Sequence, residues 1–357
     1  MPKFKQFLYD LATGRRRGAL AWFLGIILYC LSLVYGLFVL LLMAFYQLKP
    51  FKAGCKVISV GNITLGGTGK TTLVEYIAAY LSARGHKVAV ASRGYKKAFL
   101  GSACSDNDIR KMGDEPYMLA QKLPGVCVIV DKDRVASAKK AVKEFGVDTL
   151  ILDDGLQQWR IAKDLEIVAI NAANPFGNRR LLPAGFLRQP LFTLRQADIF
   201  LLTRSAGLDN ADLHKKLQGY SNNALIVEAA HLPCAFRTLD KIPSPVPVDS
   251  LKAKPLAAFC AIGDPEGFYS LLTGLGLDLK LFLQFEDHHN YTQGDLHKII
   301  AAAKAKTAQA IVTTEKDAVK LSGLEPAGCT LLVLAVKLGI TKNEAEFNNR
   351  LLKLYNL

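Results

Sequence analysis

GNITLGGTGKTT occupies residues 61–72 of this 357-residue chain, between an apolar run at 56–60 and a predicted helix at 71–84. A glycine-rich turn between a strand and a helix lets backbone N–H groups surround a phosphate. The strict phosphate-binding pattern has glycine at the position of Thr64. The stretch therefore predicts a variant P-loop, and an ordinary glycine-rich turn is the alternative.

The predicted P-loop gives each of its residues an expected role. Lys70 is expected to reach the β- and γ-phosphates of a nucleotide, and the Thr71 hydroxyl is expected to bind Mg²⁺. The predicted nucleotide contacts are Thr64, Leu65, Gly66, Gly67, Thr68, Gly69, Lys70 and Thr71.

Two adjacent acids, Asp153 and Asp154, directly follow the apolar run 149–152. Carboxylates at the carboxyl end of a parallel strand beside the P-loop strand are where such enzymes hold Mg²⁺ or its water shell. Adjacent acids are also common in ordinary solvated turns. With the P-loop nearby, the metal interpretation is favoured, and the spacing does not say which acid is nearer the ion.

The rest of the chain alternates short apolar runs with helical stretches, which is typical of βαβ units and a parallel sheet with helices on both faces. The predicted class is α/β, with two lobes at 50–204 and 205–357. The predicted strands are 56–60, 87–91, 126–130, 149–152, 166–170 and 198–202 in the first lobe, and 224–228, 255–262, 309–312 and 330–334 in the second.

The N-terminal segment 1–49 contains an apolar stretch, 18–48, without a charged residue. As a helix it would measure roughly 46 Å, more than the ~30 Å hydrocarbon core of a bilayer. Basic residues flank it on both sides, so a single crossing would export a domain that needs ATP. We therefore expect it to enter and leave on one face or to lie obliquely in the cytoplasmic leaflet, with Gly36 as a possible bend. A buried core helix is the alternative.

Composition restricts the partners. Lys and Arg total 45 against 31 Asp and Glu, which favours anions such as nucleotides, phosphorylated lipids or an anionic membrane surface. Nucleic acid is not expected, because no basic run is interleaved with aromatic residues. The seven cysteines are scattered, and we expect them to be buried thiols in a reducing compartment.

Several clusters are ambiguous when taken alone. Arg93, in SRGY, could hold a phosphate or lie exposed in a turn. Asp114, in GDEP, could be a general base or could cap a helix, and the histidines of FEDHHNY could be an oriented imidazole, a metal site or a polar turn. The loop-rich stretch 171–190 could contact substrate or simply connect two elements.

Taken in order, these segments resemble one family. GNITLGGTGKT, SRGY, GDEP, LDDGLQ, LLPAGFLRQP, FEDHHNY and VTTEKDAVKL follow a hydrophobic N-terminus, as in the tetraacyldisaccharide 4′-kinases. The resemblance implies two P-loop-type α/β/α lobes with ATP in the cleft between them, and a membrane-docking N-terminal helix. It implies ATP-dependent phosphorylation of the 4′-hydroxyl of a tetraacyldisaccharide 1-phosphate glycolipid in lipid A biosynthesis. The expected location is the cytoplasmic face of the bacterial inner membrane, with no obligate protein partner.

The resemblance also implies residue roles. Asp114 and His288 would form a catalytic acid–base pair acting with Lys70, and Asp153 and Asp154 would face the metal. The residues expected along the substrate are Arg93, Tyr95 and Arg188. The sequence departs from the family's usual pattern at Thr72, Phe186 and Gln189, where proline, proline and glutamate are usual.

A second hypothesis is a membrane-bound P-loop GTPase or ATPase switch that acts on a protein partner. Its best feature is Thr314-Glu315-Lys316-Asp317, which resembles the guanine-reading Asn-Lys-x-Asp box. The spacing does not fit, because Lys316 directly precedes Asp317. A nucleotide-preference assay would separate the two hypotheses.

Overall fold

The computed structural model describes residues 10–11, 18–93, 101–102, 112–205, 207–239, 244–326 and 328–355. Contacts divide the chain into two compact units. Unit 1 comprises Met1–Ala230 and Leu338–Leu357, and unit 2 comprises His231–Lys337.

Unit 1 is built on a parallel-rich sheet with the strand order β3-β4-β2-β5-β1-β6-β7-β8. All its neighbours pair in parallel except β3 and β4. The strands are β1 (Lys56–Gly61), β2 (Val88–Ser92), β3 (Gly101–Ser102), β4 (Cys127–Val130), β5 (Thr149–Asp153), β6 (Leu165–Asn171), β7 (Ile199–Thr203) and β8 (Leu225–Thr238).

Helices cover both faces of this sheet, and the alternation along β2 shows why. Val88 and Val90 pack in the core beside the P-loop helix, whereas Ala89 and Ala91 pack in the core on the opposite face. Because successive side chains of a strand point to opposite faces, a strand covered on both sides is apolar throughout. The helices of unit 1 are α1 (Ala19–Leu48), α2 (Lys70–Ser82), α3 (Asp114–Lys122), α4 (Arg134–Phe145) and α5 (Ala211–Tyr220).

Unit 2 contains a second parallel arrangement, in the order β11-β10-β12-β13. The alternation repeats along β10: Leu256 and Ala258 pack against α7, and Ala257 and Phe259 pack against α8. Its elements are β9 (Pro245–Val246), α6 (Asp249–Lys252), β10 (Pro255–Cys260), α7 (Pro265–Gly274), β11 (Asp278–Gln284), α8 (Gln293–Ala305), β12 (Ala310–Thr314), α9 (Glu315–Lys320) and β13 (Leu331–Lys342). The predicted α/β class with parallel-rich sheets is confirmed.

The chain leaves unit 1 within β8 and re-enters it within β13, so the division lies later than the expected boundary at residue 205. The C-terminal helix α10 (Glu344–Leu352) belongs to unit 1, not to the second unit. Its Phe347 and Leu351 are fully buried in the core that contains α2, and the Asn343 Nδ2 donates to the Ile226 carbonyl at 2.8 Å. No local sequence signal marks such a return of the chain.

Helix α1 is the one helix in the described part of the chain that is long and apolar enough to cross a membrane. It runs as one continuous helix from Ala19 to Leu48, with Gly36 inside it. One narrow stripe of it is buried: Ser32, Gly36, Val39 and Met43. The other faces expose large apolar side chains: Leu20, Trp22, Phe23, Leu33, Val34, Leu37, Phe38, Leu41, Phe45 and Leu48. Cys30 on this helix and Cys234 in β8 are also exposed, so the expectation that the cysteines are buried is wrong for these two.

Candidate nucleotide site

The P-loop connects β1 to α2 at the carboxyl edge of the unit 1 sheet. Gly66 and Gly69 have φ angles of 111° and 71°, a region that glycine adopts without steric cost. Leu65, Gly66 and Gly67 are exposed, and α2 begins at Lys70. The buried Thr68 hydroxyl has no hydrogen-bond partner among the residues that the structure describes. The loop thus presents backbone amides and a helix N-terminus, a combination that suits an anion.

Asn62, which sequence reasoning did not select, organises this loop from beneath. It is 1 % exposed, and its Nδ2 donates to the Thr64 carbonyl at 2.7 Å. Its Oδ1 accepts from Lys70 Nζ at 2.9 Å and from Arg188 Nη1 at 3.1 Å. The side chain therefore ties the loop backbone to two cations. Its only sequence signal was its place in the glycine-rich stretch 61–72, two residues before the position where the strict phosphate-binding pattern begins.

Asp154 meets both of these cations. Arg188 holds its carboxylate by two hydrogen bonds, Nη1 to Oδ1 at 2.7 Å and Nη2 to Oδ2 at 2.9 Å. Lys70 Nζ lies 3.6 Å from Oδ1. Burial alone would raise the pKa of Asp154, but the Arg188 and Lys70 charges outweigh it and lower the pKa to about 2. Three of the predicted site residues thus form one cluster.

The environment of Asp153 raises its pKa, whereas that of Asp154 lowers its pKa. Asp153 is 6 % exposed and accepts a hydrogen bond from the Ser92 hydroxyl at 3.1 Å. Burial raises its pKa to about 6, helped by the nearby Glu115 charge and opposed by Lys70 and the Ser92 hydrogen bond. A cation bound nearby would stabilise the ionised form of this buried carboxyl group.

A buried arginine, Arg134, lies beneath the same strand ends and was also not predicted. It is 2 % exposed, and its guanidinium donates to the Ser92 carbonyl at 2.7 Å and to the Asp153 carbonyl at 3.3 Å. Burial lowers its pKa, and the Asp153 charge opposes that change. Its place at the start of α4 gives no sequence signal, because a first-turn arginine is usually solvated.

The loop-rich stretch 171–190 lies beside the P-loop. Arg188 N donates to the Ile63 carbonyl and Leu65 N donates to the Phe186 carbonyl, both at 2.8 Å. Thr64 and Leu187 form an antiparallel bridge between these two hydrogen bonds. This pairing explains how Arg188 reaches Asp154, 34 positions earlier in the chain.

The remaining predicted residues of unit 1 that the structure describes lie at or near the ends of elements. Asp114 is half-buried at the first position of α3, where an acid also suits the helix dipole. Arg93 is exposed directly after β2. Thr71 is half-buried in the first turn of α2, and Tyr95 lies outside the described residues.

His288 belongs to unit 2, in the loop after β11. It has a φ of 62°, a conformation that non-glycine residues seldom adopt, and its N–H donates to the Ala261 carbonyl at 3.3 Å. The neighbouring His289 stacks on Phe285 with ring centroids 5.0 Å apart, and its Nε2 lies 3.2 Å from Asp295 Oδ2. The loop is therefore held by its neighbours, and the pairing of His288 with Asp114 stays a prediction.

Asp317, the acid that suggested a guanine-reading box, cannot serve that role. It is fully buried, and its carboxylate accepts from Ala261 N at 3.0 Å and from the Thr314 hydroxyl at 2.7 Å. Lys320 Nζ, also buried, lies 3.3 Å from its other oxygen. The motif therefore supports the backbone around Ala261, and a purine has no access to it.

Comparison with known proteins gives consistent matches. A family model described as tetraacyldisaccharide-1-P 4′-kinase, LpxK, matches residues 24–356. A tetraacyldisaccharide 4′-kinase of Halothermothrix orenii is 38 % identical over 342 residues, which cover 90 % of this chain and 89 % of the relative. One from Desulfatibacillum aliphaticivorans is 38 % identical over 333 residues, covering 88 % of each chain.

Among solved structures, LpxK from Aquifex aeolicus in complex with ATP is similar to this chain, with a TM-score of 0.73 and 28 % sequence identity. The match covers 93 % of this chain and 99 % of that one.

Proposed function

The chain belongs to the tetraacyldisaccharide 4′-kinase family and is an ATP-dependent kinase of lipid A synthesis, and we propose that it uses Mg²⁺ and an Asp114–His288 pair to phosphorylate the 4′-hydroxyl of a tetraacyldisaccharide 1-phosphate. The observation that supports this most directly is the cluster of Lys70, Asn62, Asp154 and Arg188 beneath the P-loop. It collects two cations where phosphates would bind.

Phosphoryl transfer depends mainly on positioning and on charge around the migrating group. In our proposal the loop amides and the Thr68 hydroxyl, which has no partner in the described part of the chain, hold phosphate oxygens, and Lys70 contacts the transferred group. Arg188 balances the charge of Asp154, so that this carboxylate does not repel the nucleotide. Arg93, at the exposed end of β2, and Tyr95 are proposed to contact the acceptor.

The residues at the strand ends suit Mg²⁺. The ion typically takes one or two protein carboxylates together with waters and substrate phosphates, so a cage of three or more protein ligands is not needed. None is found among the described residues. The buried Asp153, with its raised pKa, is a carboxylate that a cation would stabilise. Asp153, Asp154 and the Thr71 hydroxyl would hold the ion, which when bound neutralises charge on the transferred phosphoryl group.

Asp114 is proposed to accept the proton of the 4′-hydroxyl, with His288 sharing it or raising the basicity of Asp114. General-base assistance of this kind typically contributes about 10²- to 10⁴-fold to the rate. The loop that carries His288 is held by the Ala261 hydrogen bond and by the His289–Asp295 contact, which supports a positioned imidazole.

We further propose that α1 lies in the cytoplasmic leaflet of the inner membrane. Its contacts with the rest of unit 1 include the Tyr29 ring, 5.5 Å from the Arg180 guanidinium, and Gln47, which hydrogen-bonds Gln196. The part of the helix before Tyr29 measures roughly 16 Å, too short for a ~30 Å core. The exposed apolar side chains of α1 would then face lipid, where the acyl chains of the glycolipid also lie.

The test is a transfer assay with radiolabelled ATP and a defined monophosphorylated tetraacyl disaccharide, followed by location of the new phosphate. We expect label at the 4′ position, dependence on Mg²⁺, and a loss of about 10²-fold or more in Lys70→Ala. A strong preference for GTP with no labelled lipid would favour the switch hypothesis, whose best feature the burial of Asp317 removes.

A further inference from the structure

Helix α1 touches the loop that carries Arg188 with more than apolar side chains. The Tyr35 hydroxyl donates to the Arg188 carbonyl at 2.8 Å, across 153 positions of sequence. One residue later, Gly36 lies so close to the loop that an added Cβ would be 2.6 Å from Leu181 Cδ1. The helix therefore sits directly on this loop, with glycine at the point of closest approach.

The backbone and the side chain of Arg188 are both hydrogen-bonded. Its N–H donates to the Ile63 carbonyl in the P-loop, and its carbonyl accepts from Tyr35. Its guanidinium grips Asp154 and Asn62. A displaced peptide at residue 188 would move the guanidinium, and the two-hydrogen-bond fork with Asp154 tolerates little displacement because its geometry is planar.

Tyr35 places a polar hydroxyl on a helix that is otherwise mostly apolar. Tyr35 is half-buried, next to the buried stripe of α1, and its hydroxyl faces a protein carbonyl. Its pKa is raised by burial, against the opposing effect of the Arg188 charge, so the hydroxyl stays protonated and can donate. A phenylalanine would fill the same apolar space without this hydrogen bond.

We propose that Tyr35 is a positioning residue for Arg188, so that the membrane-docking helix is also part of the scaffold of the nucleotide site. The proposal rests on the proposed function for the role of Arg188 beside the phosphates. If so, a substitution in α1 that removes this hydrogen bond lowers kcat/KM for ATP even when the acceptor is presented in detergent micelles.

The test uses the full chain with Tyr35→Phe, and Tyr46→Phe as the matched control. Tyr46 lies on the same helix, is also half-buried, and uses its ring against Arg160 at 5.9 Å. In micelles, Tyr35→Phe should lower kcat/KM for ATP by about fivefold, the usual net value of one hydrogen bond. The KM for glycolipid and vesicle association should stay at the wild-type values, and the melting temperature should fall by no more than about 2 to 4 °C, as the loss of one hydrogen bond allows. All parameters of Tyr46→Phe should stay at the wild-type values.

A double-mutant cycle with Arg188→Ala separates positioning from general stabilisation. If Tyr35 acts through Arg188, the Tyr35→Phe change should have almost no further effect on kcat/KM for ATP in the Arg188→Ala background. The same fall in both backgrounds, or no fall in the wild-type background, overturns the proposal. If the wild-type chain produced no phosphorylated glycolipid, the proposed function would fail, and the cycle would be read from the Kd of a fluorescent ATP analogue.

Discussion

The Asp154 carboxylate receives both terminal nitrogens of the Arg188 guanidinium, with distances of 2.7 and 2.9 Å. This fork places a cation from the loop before the 3₁₀ helix Leu191–Gln196 next to the P-loop lysine. It also accounts for the strongly lowered pKa of Asp154 against the effect of burial. The acid and the arginine are thus coupled parts of one site.

Because the two-hydrogen-bond fork needs a planar guanidinium, lysine should not replace arginine at position 188. We expect Arg188→Lys and Arg188→Gln to lower kcat/KM for ATP by about 10-fold or more, with lysine recovering only a small part of the loss. Steady-state kinetics with ATP as the varied substrate measure this. Wild-type kinetics in Arg188→Lys would show that charge alone suffices.

Asp153→Asn should separate activity from stability. The buried carboxylate, close to Glu115 and with a pKa near 6, is costly to ionise at pH 7. Removing its charge relieves this cost but takes away the charge that opposes the burial of Arg134, so the free energy of unfolding should change by less than about 2 kcal/mol, while activity falls by about 10²-fold or more. Urea unfolding in the presence of a chelator measures the first quantity. A loss of stability large enough to account for the loss of activity would contradict this account.

Asp114 and His288 should behave as one unit. Asp114→Ala and His288→Ala should each lower kcat by about 10²-fold or more and leave the KM for ATP almost unchanged, because a base acts in the transition state. Their effects should be strongly non-additive. A double variant whose loss equals the product of the single losses, measured on folded protein, rules out the pair.

Asp317→Ala should destabilise the protein without changing nucleotide preference. The variant removes the carboxylate that the buried Lys320 cation and the Ala261 N–H both contact, which costs about 3 to 5 kcal/mol. Denaturant unfolding measures the loss, with the exposed Asp278→Ala as a control of the same chemistry. A shift from ATP towards GTP discrimination would instead indicate a base-reading role.

Charges on the exposed face of α1 should weaken membrane attachment selectively. Leu37 and Leu41 are each 60 % exposed, so glutamates there need not disturb the packing of the helix on unit 1. The Leu37→Glu, Leu41→Glu double variant should bind anionic vesicles at least about 10-fold more weakly, since each buried leucine contributes about 1.5 to 3 kcal/mol. Activity on micellar substrate should be unchanged. Unaltered vesicle sedimentation would show that this face does not meet lipid.

The features that the sequence made predictable are those written in short stretches of chain. The glycine-rich turn 61–72, the acids at the end of β5 and the apolar runs of the strands depend on neighbours a few positions apart. The structure starts each expected strand within one residue of the predicted position, although β8 and β13 extend well beyond their predicted ends. Strand periodicity and the φ angles that glycine allows are local properties, so local sequence reveals them.

Other features were decided only by the tertiary structure. The Arg188 fork on Asp154, the Tyr35 hydrogen bond to Arg188 and the burial of Asp317 each join segments that sequence spacing does not relate. Arg188 was expected to face substrate, yet its partner depends on the path of the loop that pairs with the P-loop. Side-chain partners of this kind follow from strand order and loop path, which arise from packing the whole chain and leave no periodic trace in the sequence.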